Sequence, residues 1–427
     1  MASCWGSTAC FAPPPAPWVP PRPRPGCNPA GGTRPASLDG RGRQPARPAR
    51  RGLLIRGPAG AARPAPASLH SRRRRIATVP KKVRVGIIGS GGIAQTAHMP
   101  GYAAIPDLCE IVALADTDPV AAKTAAEKFH VKHVFSDYHD LLAMDEVDAV
   151  SVCTPNYLHK QPTIDAFAAG KHVLCEKPVA MNAAEAKEML AASRKAGKKF
   201  AVGYNTRFNP GSQLMKRFVE SGDAGEIYYA RAQALRRRGI PGWGVFIDKA
   251  KQGGGPLIDI GVHILDLTLW LMGHPKPVSA SGVTYAKFGH RGDIVGFLGQ
   301  WDYKNFTVED FASALIRFEN GATVVLESSF VANIPEDVWN TTLCGTEGGV
   351  TMNPLTLVTE RHRALNITRP ELPEKNVNSH HAEIKHFVEC ILTDTQPLVT
   401  GEQALMVAQI MDAIYASSEK GREVPIG

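Results

Sequence analysis

The chain has 427 residues, a length that suggests two or three domains rather than one. Its net charge of +9 comes from the first 80 residues, which hold 14 arginines, 16 of the 33 prolines and a single acid, Asp39. The other 347 residues are near −4, so their charge does not favour nucleic acid or an anionic membrane as a partner. No apolar run in the sequence approaches the roughly 18 residues that a membrane span needs.

Residues 1–80 are predicted to be a disordered leader that resembles an organelle transit peptide. Prolines interrupt the stretch before Arg22, so it lacks the apolar core of a secretory signal. Because the first charge is at Arg22, after a Met-Ala-Ser start, a plastid is favoured over a mitochondrion as the destination. The boundary is expected between Arg72 and Lys81. An unprocessed extension or a mistaken start is the alternative, and the protein would then be cytoplasmic.

Neither a metal site nor a disulfide framework is expected. After the leader the cysteines are widely spaced, without a CxxC pair, at Cys109, Cys153, Cys175, Cys344 and Cys390. No repeated spacing of histidine, cysteine and glutamate remains to suggest a metal.

Residues 81–205 show short apolar runs alternating with helical patterns, as expected for an α/β fold with a mostly parallel sheet. A Rossmann dinucleotide-binding domain is therefore predicted. Its strands are expected at Val83–Ile88, Glu110–Ala115, Ala149–Cys153, His172–Cys175 and Phe200–Tyr204. Its helices are expected at Pro119–Phe129, Tyr157–Ala169 and Asn182–Ala196, the last with Asn182 as its cap.

Residues 206–427 are predicted to form an α+β domain for substrate binding and oligomerisation, with an open, largely antiparallel sheet. One helix should reach about Ser221, and extended segments follow. Asn320-Gly321, between two apolar runs, predicts a tight hairpin turn. Helices at His380–Leu392 and Glu402–Lys420 should close the chain.

A glycine motif follows the first predicted strand and opens a helix. From Gly89 to Ala94 the sequence reads G-x-G-x-x-A, in which Gly89 permits a tight turn and Gly91 lets the backbone approach a pyrophosphate. Gly89, Gly91, Gly92 and Ile93 are therefore candidate cofactor ligands.

The next predicted strand ends at Asp116, 22 residues after Ala94, where an acid would bind a ribose 2′-hydroxyl. Its carboxylate would repel a 2′-phosphate, and Thr117 is not the arginine that often accommodates one. NAD is therefore favoured over NADP, although some enzymes with an acid here use both.

With these elements the sequence resembles the Gfo/Idh/MocA oxidoreductase family, over nearly all of residues 83–426. The resemblance depends on several motifs in order besides the glycine turn: Thr154-Pro155-Asn156 with His159, Glu176-Lys177-Pro178, Gly203-Tyr204-Asn205 with Arg207, and the run from Gly253-Gly254-Gly255 through Asp259 to His263.

The resemblance implies roles for the residues that end the Rossmann strands. Thr154, Pro155 and Asn156 would line the nicotinamide half of the cofactor, with His159 shaping that wall. Asn156 alone could equally be a turn cap. Glu176 would face the cofactor and Lys177 the reacting substrate oxygen, with a cis peptide bond before Pro178.

Asp259 and His263 lie four residues apart, so on a helix their side chains would share one face. His263 is suited to take the hydroxyl proton during oxidation of an alcohol. The resemblance implies that Asp259 orients or aids this base. The glycines before them suggest that the backbone passes close to a ligand or to another chain segment.

Four further residues are candidates for substrate binding. Tyr204 and Arg207 follow the last Rossmann strand, where a cleft should form. Arg238, the last of three successive arginines, and Trp243 could line a sugar site by hydrogen bonding and stacking. The arginine run could equally be a solvated face.

These features predict an NAD(P)-dependent oxidoreductase that interconverts a secondary alcohol and a ketone on a sugar, cyclitol or related polyol. Alternatives are an NAD-dependent glycoside hydrolase that uses transient oxidation and elimination, and a non-catalytic dinucleotide sensor. The resemblance also implies a homo-oligomer, a dimer or tetramer formed through the open sheets.

Overall fold

The computed structural model describes residues 82–374 and 376–427. The transit-peptide prediction for residues 1–80 falls outside them.

The Rossmann layer is a parallel sheet of six strands in the order β3-β2-β1-β4-β5-β6. Its strands are β1 Val83–Ile88, β2 Cys109–Ala115, β3 His133–Phe135, β4 Ala149–Val152, β5 His172–Cys175 and β6 Phe200–Val202. Its helices are α1 Met99–Ala103, α2 Pro119–Phe129, α3 Tyr138–Leu142, α4 Lys160–Ala168 and α5 Ala183–Ala196. Strand order reverses between β1 and β4, and the crevice at such a reversal is where open α/β sheets bind ligands.

The strands form where the sequence is continuously apolar, because helices cover both faces of a parallel sheet. All four residues of β4 are buried. Helix α5 begins at a capping residue. The Asn182 side chain accepts a hydrogen bond from the backbone N–H of Glu185 at 3.0 Å, which is the cap that the sequence predicted. Strand β3 was not predicted, since its three residues lie at the sheet edge and two of them are exposed.

The second layer is an open sheet of nine strands in the order β14-β13-β12-β11-β7-β10-β9-β8-β15, antiparallel except where β7 pairs with β10. Its strands are β7 Ile227–Leu235, β8 Pro277–Tyr285, β9 Phe311–Phe318, β10 Thr323–Ser329, β11 Val338–Gly345, β12 Gly348–Thr351, β13 Thr356–Arg361, β14 Ala364–Thr368 and β15 Val424–Pro425. The helices of this half are α6 Pro210–Glu220, α7 Lys249–Gln252, α8 Val262–Leu271, α9 Ser379–Thr393 and α10 Gly401–Lys420. Gly321, with φ of +85°, forms the predicted hairpin turn between β9 and β10. The predicted Rossmann fold and the predicted α+β fold with a largely antiparallel sheet are both confirmed.

Helix α8 runs through the core, and nine of its ten residues are buried, the exception being His263. The stretch Lys249–Leu271 is long and apolar enough to cross a bilayer by composition, but 94% of its most apolar window is buried inside the protein. Its apolarity is therefore that of a core helix.

Helix α9 belongs to the second half of the sequence but packs on the Rossmann layer. Its Ile384 and Phe387 share a buried cluster with Val85, Tyr102 and Leu174. Residues near the start of α9 are thereby brought close to the cofactor side of the first sheet.

Candidate active site

The turn after β1 is shaped for close approach of a ligand to its backbone. Gly89 has φ of +89°, and a Cβ there would lie 2.9 Å from the carbonyl carbon of Cys153. At Gly91 and Gly92 a Cβ would meet no atom of the described residues within 4 Å, while Ile93 packs against the core. Glycine is thus required on the inner side of the turn, and its outer side is open in the way that a pyrophosphate cradle requires.

Asp116 follows β2 and lies beside this turn. One carboxylate oxygen accepts hydrogen bonds from the backbone N–H of Ser90 at 2.6 Å and from its hydroxyl at 2.8 Å. The other oxygen accepts from the backbone N–H of Asp118 at 2.9 Å. The carboxylate is therefore fixed next to the glycine turn, in the position from which ribose binding was predicted.

The turn after β4 carries Thr154, Pro155 and Asn156. The Thr154 hydroxyl donates to the carbonyl of Leu158 at 3.1 Å, which holds the turn together. Asn156 is buried, and its amide donates to the carbonyl of Gln252 at 2.9 Å. Asn156 therefore ties the predicted nicotinamide wall to the second half of the chain.

His159 is fully buried and lies between two turns of the site. One ring nitrogen is 2.7 Å from the carbonyl oxygen of Pro178, and the other is 2.8 Å from that of Thr154. Burial lowers the pKa of His159 in spite of these two carbonyls. A neutral ring has one N–H and donates to one of these two carbonyls, so His159 lies between the two turns and links one of them by a hydrogen bond.

Glu176 is turned inward and lies 2.8 Å from His98, a residue that the sequence reasoning did not identify. Its second oxygen accepts from the backbone N–H of Lys177 at 3.0 Å. A Cβ on Gly203 would lie 3.0 Å from this carboxylate, so the glycine leaves room for it. Burial acts to raise the pKa of Glu176, but the contact with His98 and the nearby cations outweigh it and lower that pKa to about 2.

Lys177 precedes a cis peptide bond to Pro178, as the resemblance implied, and extends to Asp259. Its ammonium donates to the Asp259 side chain and to the backbone carbonyl of the same residue, both at 3.0 Å. Burial would raise the pKa of Asp259, but Lys177 and then Arg236 lower it. The result is a buried carboxylate that holds the lysine in place.

The predicted contact of Asp259 with His263 is not observed in the described residues. The residues Leu257–Gly261 form a π-helical turn, which changes the spacing that puts positions four apart on one face. Within the described residues Asp259 accepts a hydrogen bond from Lys177, and its interaction with His263 is electrostatic only.

His263 lies half-buried between two aromatic rings, with centroids of Tyr204 and Trp339 each 6.2 Å from its own. Its Nδ1 is buried and has no hydrogen-bond partner in the described residues. Burial first, and then the ammonium of Lys177, lower the pKa of His263 to about 3. The ring is therefore neutral near pH 7 and can accept a proton.

The three glycines before Asp259 pack against protein rather than open space. A Cβ at Gly255 would collide with the carbonyl of Glu309, and one at Gly254 with the hydroxyl of Tyr415. Of the two explanations that the sequence left open, close approach to another chain segment is the one observed.

Two predicted substrate ligands, Arg207 and Tyr204, are buried in the core. Arg207 has no exposed surface and forms a two-pronged ion pair with Asp266, at 2.8 and 2.6 Å. It also donates to the carbonyl of Leu398 and the side chain of Gln403. Tyr204 is 1% exposed and makes an edge contact with the His263 ring. Both were assigned to the cleft because they follow the last Rossmann strand, but the chain turns into the core there.

Arg238 and Trp243 lie on the loop after β7. Arg238 donates to the carbonyl of Ala332 at 3.1 Å and to the side chain of Asn333 at 2.8 Å. Trp243 is 57% exposed and has an edge contact with Phe246. Within residues 82–374 and 376–427 neither contacts Lys177, Asp259 or His263, and their substrate roles stay predictions.

The structure adds three residues to the site. His98 follows the glycine motif and pairs with Glu176. Arg236 lies 3.8 Å from Asp259. His380, on α9, contributes to the lowered pKa of Glu176. The arginine run was a signal for Arg236, although Arg238 was chosen from it. No local signal pointed to His380, because only the packing of α9 brings it here.

In the part of the chain that the structure describes, no group of three His, Cys, Asp or Glu side chains could hold a metal ion. Its five cysteines are free thiols, four of them buried.

Comparisons with known proteins agree with this geometry. An oxidoreductase family with an NAD-binding Rossmann fold matches residues 83–204, and the C-terminal alpha/beta domain of the same family matches residues 216–426. The D-glucoside 3-dehydrogenase of Escherichia coli K12 is 37% identical over 345 residues, which are 81% of this chain and 97% of that protein. The NADP-dependent D-xylose 1-dehydrogenase of Haloarcula marismortui is 26% identical over 349 residues, covering 79% and 91% of the two chains.

Among solved structures, levoglucosan dehydrogenase in complex with NADH and levoglucosan superimposes with a TM-score of 0.71 at 26% identity, covering 81% of this chain and all of that one. NADH is thus bound in a similar solved structure, and NADP is used by one of the relatives. The chain belongs to the Gfo/Idh/MocA family of oxidoreductases, which joins an NAD-binding Rossmann fold to a C-terminal α/β domain.

Proposed function

We propose that this protein oxidises a secondary ring hydroxyl of a D-glucoside, or of a closely related sugar or cyclitol, to the ketone, and catalyses the reverse reduction. The observation that carries the proposal is the ammonium of Lys177, held at 3.0 Å by Asp259 near the neutral ring of His263. Such a cation stabilises the alkoxide that develops on the substrate oxygen. The sugar specificity is supported by the D-glucoside 3-dehydrogenase, the relative with 37% identity.

Each protein group then has a defined task. His263 accepts the hydroxyl proton, Lys177 holds the same oxygen, and Asp259 fixes Lys177. Bound NAD supplies the acceptor for the hydride that leaves the hydroxyl-bearing carbon. The carboxylate of Asp116, beside the glycine turn, disfavours a 2′-phosphate, so NAD is the proposed partner.

A panel of sugars, cyclitols and aryl glycosides, incubated with NAD, tests the proposal. We expect stoichiometric NADH with at least one glucoside and no release of aglycone. Aglycone release without NADH accumulation would identify the hydrolase alternative instead. NAD binding without turnover of any member would favour the sensor. Tight binding of NADP in the absence of NAD binding would contradict the assignment of Asp116.

We further propose that two copies pair through the outer face of the nine-stranded sheet. Large apolar side chains are exposed on β7, β8 and β14: Tyr228, Val278, Val283, Tyr285, Leu365 and Ile367. An exposed apolar sheet face of this kind is typical of a protein–protein interface. Light scattering should give a dimer or tetramer that Tyr228→Lys combined with Val283→Lys dissociates, and a monomeric wild type would contradict the proposal.

Residues 1–80 are proposed to direct the protein to a plastid. The support is their composition, rich in arginine and proline with one acid. Fusion of these residues to a fluorescent protein should place it in plastids of plant cells, and a diffuse cytosolic signal would contradict the proposal.

A further inference from the structure

A second cation, Arg236, lies beside the carboxylate oxygen of Asp259 that Lys177 does not contact. The ammonium of Lys177 is 3.0 Å from one carboxylate oxygen, and the guanidinium of Arg236 is 3.8 Å from the other. The Arg236 side chain keeps 32% of its surface exposed, compared with 18% for Lys177. Two cations that both retain exposed surface thus share one buried carboxylate.

The end of β7 fixes the position of Arg236. Its backbone N–H donates to the carbonyl of Ser329 at 3.0 Å, and the Ser329 hydroxyl donates back to its carbonyl at 2.9 Å. The guanidinium carbon lies 6.0 Å from the ring centroid of the fully buried Phe330. A Cβ on Gly239 would collide with the Arg236 side chain, so the glycine makes room for it. These contacts distinguish Arg236 from a freely solvated charge.

The other two arginines of the run are directed elsewhere. Arg237 pairs with Asp337 at 3.4 Å, and Arg238 is bound by the 332–333 segment. Arg236 has five N–H donors, but in the described residues its guanidinium makes one hydrogen bond, to the carbonyl of Gly239 at 3.3 Å. It therefore has donors left for a ligand at the Asp259 end of the site.

We propose that Arg236 is a specificity-determining residue that donates a hydrogen bond to the hydroxyl on a carbon next to the one being oxidised. This inference rests on the proposed function and narrows its substrates to sugars with a free hydroxyl beside the reacting carbon. Lys177 hydrogen-bonds one oxygen of Asp259, and Arg236 lies 3.8 Å from the adjacent one. Two neighbouring hydroxyls of a sugar present a similar pair of oxygens, one to each cation.

The effect expected from this contact follows from its chemistry. A hydrogen bond to a charged group changes transition-state binding by between about 10-fold and 100-fold, so a substrate without the neighbouring hydroxyl should lose that factor in kcat/KM. Arginine presents a fixed fork of donors that lysine lacks, so a lysine in its place should keep the charge but only part of the discrimination.

The test takes carbon 3 as the carbon oxidised, as in the name of the D-glucoside 3-dehydrogenase. It measures kcat/KM with NAD for methyl β-D-glucoside and for its 2-deoxy and 4-deoxy analogues, each of which lacks one hydroxyl next to that carbon. The enzymes are the wild type, Arg236→Gln, Arg236→Lys and the matched control Arg237→Gln. We expect the wild type and Arg237→Gln to disfavour one deoxy analogue by about 10-fold to 100-fold. Arg236→Gln should lose activity on the parent glucoside and no longer discriminate against that analogue. NAD affinity and Tm, measured in parallel, should match the wild type.

Failure of the Arg236 contact and failure of the proposed oxidation give different results. If Arg236→Gln discriminates as the wild type does, or loses the same factor on all three sugars, Arg236 does not contact a neighbouring hydroxyl and the inference is wrong. If the wild type and Arg237→Gln make no NADH from any sugar of the wider panel, the proposed function fails and the inference fails with it.

Discussion

At the scale of single residues, burial and the charges of neighbouring side chains determine the protonation of the site. Asp259 and Glu176 both have lowered pKa values and stay ionised at neutral pH, while burial and Lys177 keep His263 neutral. Sequence spacing suggested that Asp259 and His263 share a helix face, and the resemblance implied that Asp259 aids the histidine. In the structure Asp259 accepts its hydrogen bond from Lys177. The sequence therefore predicted that Lys177, Asp259 and His263 belong to the site, but not that Asp259 pairs with Lys177.

The low pKa of His263 gives a prediction for the pH profile. The neutral ring is the active form, so activity persists as the pH falls and is lost only toward a pKa of about 3. We expect kcat/KM for the glucoside to be flat on its acid side between about pH 5 and pH 8. His263→Gln should lower kcat/KM throughout this range. A one-proton decline near the ordinary histidine pKa of about 6.5 would contradict the assignment.

At the scale of elements, the sequence predicted best where one local pattern determines the structure. The strands β1 and β5 and the helix α2 have the predicted bounds, because their apolar patterns and caps are contained within each segment. The glycine turn was predicted for the same reason. The burial of Arg207 was not predicted, because it depends on Asp266 and on the start of α10, which lie 59 or more residues away.

Gly91 gives a test of the glycine turn at this scale. Since a Cβ at Gly91 meets no described atom within 4 Å, Gly91→Ala should leave the free energy of unfolding within about 0.5 kcal/mol of the wild type. The same methyl group would occupy the space of the pyrophosphate, and NAD affinity should fall at least about 10-fold.

Gly211→Ala, on α6, is the matched control and should bind NAD as the wild type does, since a Cβ there would make only an ordinary contact with the Leu355 side chain at 3.9 Å. Isothermal titration measures the affinity of each variant. Unchanged affinity in Gly91→Ala would mean that the dinucleotide does not lie over this turn.

At the scale of the whole molecule, two long-range features join the halves of the chain. Helix α9 packs on the Rossmann core and brings His380 toward Glu176. Arg207, just after β6, binds Asp266 on α8 and Gln403 on α10. Neither connection has a local signal in the sequence, because each depends on residues that are distant along the chain.

The Arg207–Asp266 pair predicts a stability effect of one substitution. Asp266→Asn leaves a buried guanidinium without its counter-charge, so the free energy of unfolding in urea should fall by about 3–5 kcal/mol. The double variant Arg207→Met with Asp266→Leu removes both charges and should recover most of that loss. Unchanged stability with a raised KM for the sugar would return Arg207 to the substrate site.

The most direct test of the account compares kcat/KM for NAD-dependent oxidation of an accepted glucoside between the wild type and Lys177→Ala. Because Lys177 is assigned to the developing alkoxide, its loss should lower kcat/KM by at least about 100-fold, with the fold and NAD binding retained. Lys123→Ala, at a position where the side chain is 78% exposed, should match the wild type. Equal turnover by Lys177→Ala and the wild type would contradict the assigned site.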